Sequence, residues 1–277
     1  MPETAGSIFT EATDLVLTLF SSFGLATFGV LLFAVGGTLV RGLAKPAQVE
    51  FQRTWMGVDV LMSIAVYLAT TIALALGWVA VRGLESLEQA LPALALTAIG
   101  GLTVSVMLLV RARTLSLNLG WFAFGDQGHA RSVLVGGITY LFGLPMLLGF
   151  MGVWSVLLNL LGVSEGQDVA LMIEAAAKED LVPIALLAAL VIPWTEELFF
   201  RGALFGWLHK VGGAITAVVL SSILFAGIHG FVASGPILVL AFLLAFARIH
   251  SRGILACFVI HAMHNGLQVA VLHFLKP

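Results

Sequence analysis

In the run Leu-Ala-Ala-Leu-Val-Ile-Pro-Trp-Thr-Glu-Glu-Leu-Phe-Phe-Arg-Gly, two carboxylates, Glu196 and Glu197, stand side by side in an otherwise apolar stretch, and Arg201 follows one helical turn later. A charged side chain at mid-span costs about 2.5–3.5 kcal/mol on insertion scales, so such a cluster needs a compensating use. Arg201, four residues after Glu197, falls on the same helical face and suits an internal ion pair. Glu196 is turned about 100° away and gains no such neighbour. It is the freer carboxylate, and a partly desolvated carboxylate holds a proton more readily, which suits a general base. The plainer alternative is that all three charges only lock helices together.

Two further apolar stretches bring polar groups. One carries Phe225 and His229, the other His261, His264 and Asn265. A lone histidine in an apolar helix is more often a hydrogen-bonded packing residue than a catalyst, but several polar groups on neighbouring spans shift that balance. His261 and Asn265, four apart, face one direction and could offer two donors to a developing oxyanion. His264 ranks behind His261 because it lacks such a partner.

The elements that must position these residues are membrane helices. Of the 277 residues, 60% are hydrophobic and 10% charged, against about 25% charged in a typical soluble domain. Spanning the apolar core of a bilayer takes about 20 apolar residues, and the sequence predicts eight helical segments, at 15–40, 56–81, 90–110, 132–162, 181–209, 213–232, 236–248 and 253–275. The fold class is therefore all-α, a polytopic bundle forming one membrane domain. Its N-terminal helices and an outer acidic segment fill 1–180, and the helices bearing the polar groups fill 181–277. The fourth segment contains Pro145 and is expected to kink or tilt.

Lys and Arg cluster after every second segment and so on one side, at Arg41, Lys45 and Arg53, at Arg111, Arg113 and Arg131, at Arg201 and Lys210, and at Arg248 and Arg252, against only Arg82, Lys178 and Lys276 on the other. The positive-inside rule then places both termini outside. The acidic stretch from Ser164 to Asp180 reads as a solvated or interfacial helix rather than a substrate-gating element. The N-terminus lacks the basic region of a secretory signal, and short loops suit a bacterial inner membrane. A net charge of −2 offers no basic surface for nucleic acid. The one cysteine, Cys257, has no disulfide partner and reads as a small core residue.

Depths counted from the inner ends of the segments disagree, at about 21 Å for Glu196, about 24 Å for His229 and about 12 Å for His261. The seventh segment, only a dozen residues, offers a reconciliation: it would make the sixth tilt or dip, with Gly227, Gly230 and Gly235 allowing the irregular backbone.

The three motifs, Glu-Glu-x-x-x-Arg at 196–201, Phe-x-x-x-His at 225–229 and His-x-x-x-Asn at 261–265, in this order, resemble those of the CPBP family of membrane proteases. That family includes the CAAX prenyl endopeptidases of Ras-converting type and bacterial relatives tied to bacteriocin processing or self-immunity. The resemblance covers about 181–275 and implies an endopeptidase in which Glu196, aided by His229, activates water. His261 and Asn265 would stabilise the oxyanion, and Glu197 and Arg201 would support the helix geometry. The substrate would be a membrane-associated protein or peptide. Members are often labelled metalloproteases, yet the sequence has no His-Glu-x-x-His run. Zinc held by Glu196, His229 and His261 with a water is the alternative to a reaction that needs no cofactor.

Rival readings fit less well. Ser234-Gly235 lacks the Gly-x-Ser-Gly context of serine intramembrane proteases, and Gly125-Asp126 lacks the Gly-x-Gly-Asp context of aspartyl ones. A proton-coupled transporter could use buried charges as a relay, but the paired halves with matching broken helices typical of carriers are not seen. A non-catalytic immunity or scaffold protein would keep the motifs for packing alone.

Overall fold

The computed structural model describes residues 5–43, 55–83, 86, 89–115, 128–163, 173 and 175–274. Every regular element among them is helical, and the long ones form seven runs: α1 Ala5–Leu43, α2 Gly57–Arg82, α3 Ala90–Thr114, α4 His129–Leu160, α5 Lys178–Gly227, α6 Gly230–Ser251 and α7 Leu255–Phe274. Each is long and apolar enough to cross a membrane. Large apolar side chains such as Phe20, Val81 and Ile215 are 73%, 80% and 81% exposed, as a lipid-facing surface requires. This is an integral membrane protein, a polytopic helical bundle.

The predicted fifth and sixth segments are the two arms of α5. Gly213 has φ 77° and ψ −174°, outside the helical range and open to glycine, and it breaks the helix. The rings of Phe200 and Phe225 lie 5.0 Å apart, whereas a straight helix would separate them by about 37 Å. The chain therefore reverses at Gly213, and seven helices supply the eight predicted segments.

The expectation of a short seventh segment over 236–248 is overturned. α6 has 22 residues, about 33 Å. It starts just after His229, its N-cap, at Gly230 with φ 79°, and it contains Pro236 rather than starting there. The sixth segment correspondingly stops at Gly227 instead of 232.

Helix pairing follows small residues. α1 lies along α4, where a Cβ at Gly29 would fall on the Pro145–Met146 backbone and one at Gly149 on the backbone of Ala26. Lipid tails are as apolar as leucine, so backbones that approach this closely gain packing that larger residues would forfeit. α2 pairs with α3. Asp59 accepts from the Met56 N–H at 2.9 Å, closing the start of α2, and pairs with Arg111 of α3 at 2.7 Å. Gly100 and Gly101 of α3 bring that helix against Tyr67 and Thr71 of α2 and against Thr195 of α5. α7 packs on α4, α6 and the first arm of α5. Lys45, Arg53, Lys276, the Gly125–Asp126 pair and most of the acidic stretch over 164–174 lie outside the described residues.

If the α1–α4 crossing depends on these glycines, Gly149→Ala should lower stability by about 1–3 kcal/mol through overpacking. Gly24→Ala, with nothing within 4 Å of the added carbon, should be neutral or raise stability by up to about 1 kcal/mol. Thermal unfolding of both variants in detergent checks this; equal effects would show that the crossing is not what constrains position 149.

Candidate active site

The first arm of α5 is not a uniform helix. α-Helical turns at Leu181–Leu186 and Ile192–Glu197 alternate with π-helical ones at Leu187–Val191 and Leu198–Leu204. The two glutamates sit on the short α-helical piece between two wide turns, a distortion often found at functional sites. Pro193 gives a local reason for the first. In a π turn the Ala188 carbonyl would accept from the N–H of residue 193, and proline has none. Asn265 of α7 supplies the missing donor, its Nδ2 lying 2.9 Å from the Ala188 oxygen.

Glu197 is completely buried, as is Arg201. Arg201 Nη1 donates to Glu197 Oε1 at 3.4 Å, the predicted i,i+4 pair. His261 Nδ1 donates to the same oxygen at the much shorter distance of 2.8 Å. Because a carboxylate can only accept, this bond places a proton on Nδ1 and leaves Nε2 for other work. That Nε2 faces Glu196 Oε2 at 3.6 Å, too far for a hydrogen bond. The Glu196 side chain keeps 21% exposure. Two neighbouring carboxylates thus differ in kind: Glu197 is enclosed and committed to two cations or donors, while Glu196 is reachable and uncommitted.

Phe225 joins the remaining parts. Its buried ring lies under the Arg201 guanidinium, 4.2 Å from the ring centre, which suits a cation–π contact. The same ring touches His261 at 5.6 Å and His229 at 4.8 Å between centroids. His229 Nδ1 donates to the Phe225 carbonyl at 2.7 Å, so its Nε2 is the acceptor nitrogen. No hydrogen bond or ion pair links His229 to Glu196; one phenyl ring, that of Phe225, intervenes between His229 and His261. Asn265 lies one turn from His261 but spends a donor on Ala188. His264 points elsewhere, to the hydroxyl of Tyr140 on α4 at 3.5 Å and to Gln268 Nε2 at 3.0 Å.

The disagreement in depth has a different origin from a short seventh segment. Arg248 of α6 is buried level with Arg201 and donates from Nε to the Arg201 carbonyl at 2.8 Å. From Arg201 the chain runs about 18 Å to Gly213, but from Arg248 only about 7 Å to Gly253. The turn between α6 and α7 is therefore sunk about 10 Å into the bundle relative to Gly213, and Ser251, Gly253 and Ile254 within it are buried. Counted from the level of Gly213, His261 lies about 22 Å deep, beside Glu197 at about 24 Å.

Sequence reasoning missed the wall supplied by the first half of the chain. Tyr67 of α2 lies where a Cβ on Gly100 of α3 would meet its ring, and it packs with Trp194 of α5 against the buried cluster that includes Leu198. The signal available was that the chain has two tyrosines, both inside predicted spans. Also missed was the direct His261–Glu197 bond, which joins two motifs that the sequence had treated separately.

Among the described residues no three His, Cys, Asp or Glu side chains gather as a metal-holding group. The site is a buried carboxylate–histidine array in a helical membrane bundle. Residues 178–267 match the family described as type II CAAX prenyl endopeptidase Rce1-like. This segment contains all three motifs, and the match supports a CPBP/CAAX-type intramembrane protease. Helices α1 to α4 lie outside the match. No curated protein and no solved structure matches the chain.

The buried pair makes a prediction of its own. Arg201→Met leaves the Glu197 charge enclosed with one partner fewer and should destabilise by about 3–5 kcal/mol. Adding Glu197→Gln to it should recover part of that loss. Unfolding midpoints of the two single variants and the double variant form the test; strictly additive losses would mean that the two side chains are not coupled.

Proposed function

We propose that the protein is an endopeptidase that hydrolyses a peptide bond of a membrane-associated protein or peptide with water activated by Glu196. The observation that carries this reading is the inequality of the two carboxylates. Glu197 is enclosed and bonded to Arg201 and His261, whereas Glu196 is partly exposed and faces His261 Nε2.

Glu196 takes a proton from water as the water oxygen attacks the peptide carbonyl carbon, and the carbonyl π pair moves onto oxygen. In its protonated form His261 presents Nε2–H to that oxyanion while Nδ1–H stays on Glu197, the same division of labour by which a buried carboxylate orients a catalytic histidine elsewhere. Asn265 has a second N–H beyond the one given to Ala188 and adds a donor on the same face of α7. The oxyanion then collapses, the C–N bond breaks, and the proton held by Glu196 goes to the leaving amine. His229 takes no proton from Glu196 in this arrangement; its acceptor Nε2 is available to the substrate, beside Phe225. No cofactor is needed for these steps. The membrane is proposed to be a bacterial inner membrane.

Purified protein offered a library of membrane-anchored peptides should cleave some of them, with activity that survives a chelator. Glu196→Gln should lower kcat by about 10²–10⁴-fold, the usual contribution of a general base, with an unchanged unfolding midpoint. Full activity in Glu196→Gln would remove Glu196 from the mechanism. Loss of activity on chelation, regained with zinc, would replace the metal-free reading.

A further inference from the structure

The first turn of α6 has His229 as its N-cap and is followed closely by Pro236. In an α-helix the Val232 carbonyl would accept from the N–H of residue 236, and proline offers none while its ring crowds that same carbonyl. Within a membrane a carbonyl left without a donor is costly, because no bulk water can replace the lost bond. α4 supplies one: Trp154 Nε1 donates to the Val232 oxygen at 2.8 Å. The same indole meets the Phe231 ring edge-to-face at 5.5 Å. It also covers Gly235, where an added Cβ would come within 2.7 Å of indole ring atoms. One side chain thus grips positions 231, 232 and 235.

That grip matters because the turn is otherwise weakly enclosed. Ile228 and Phe231 are 63% and 57% exposed, and Gly230 has the positive φ of a reversal between helices. We propose that Trp154 is a positioning residue for His229. It completes the hydrogen bonding that Pro236 leaves open and so fixes the turn on which His229 stands against Phe225. Trp154 lies outside the segment matched by the family, so this device belongs to the part of the chain that the motifs do not describe. The inference rests on the endopeptidase reading for its kinetic arm only.

The test uses full-length Trp154→Phe, Pro236→Ala and the double variant, read both by kinetics and by backbone hydrogen–deuterium exchange over 229–236. Trp154→Phe keeps an aromatic ring but removes the donor. It should lower kcat about tenfold with KM within about twofold, and should speed exchange in the turn. Pro236→Ala restores an N–H at position 236 for the Val232 carbonyl. In that background Trp154→Phe should cost less than about twofold in kcat and leave exchange slow. A loss of equal size in both backgrounds, or no change in exchange with Trp154→Phe, overturns the proposal. If the parent protein cleaves nothing, the endopeptidase reading fails while exchange still decides whether Trp154 holds the turn.

Discussion

A carboxylate with no access to solvent is the constraint around which this bundle is arranged. Glu197 is fully buried, and burying an unpaired charge costs far more than any single packing contact returns. Its partners must therefore arrive from fixed directions. Arg201 comes from the next turn of α5, backed by the Phe225 ring from the returning arm. His261 comes from α7 with the shortest contact of the set. Bringing α7 to that depth requires the α6–α7 turn to sink into the protein, and Arg248, bonded to the Arg201 carbonyl, holds it there. The hairpin at Gly213, the sunken turn at 252–254 and the register of α7 together bring the partners of this one charge into place.

The same logic governs the backbone. Two prolines near the site, Pro193 and Pro236, each deprive a carbonyl of its helical donor. Each carbonyl is met by a side-chain N–H from another helix, Asn265 for Ala188 and Trp154 for Val232. In a soluble protein water could fill these places; in a bilayer the protein must do so itself. The distortions that set Glu196 and His229 in position are thus paired with named donors from α7 and α4.

Much of this was legible in the sequence. An apolar run about 20 residues long has few other fates, so the spans were readable, and Gly213 marked the reversal. Glu196, Glu197 and Arg201 announced themselves because charge in such a run is costly. What the sequence concealed was relative depth. Counting residues from each inner end assumes that all turns lie at one level, and the turn after α6 does not; the short seventh segment offered to reconcile the depths does not exist. Helical spacing also paired His261 with Asn265, since both lie on one face; it could not show that His261 binds Glu197 across the bundle while Asn265 binds Ala188. The packing of Tyr67 was hidden for the same reason, because contacts between distant helices leave no periodic trace.

The central claim is that Glu196 acts on water while Glu197 stays bound in the interior. A single turnover in H₂¹⁸O tests it most directly, with mass analysis of both the new C-terminus and the protein segment containing the two glutamates. Direct attack by water predicts one ¹⁸O in the product carboxylate and none in either glutamate. Label in Glu196 or Glu197 would instead require an acyl intermediate on that side chain, and would contradict the account.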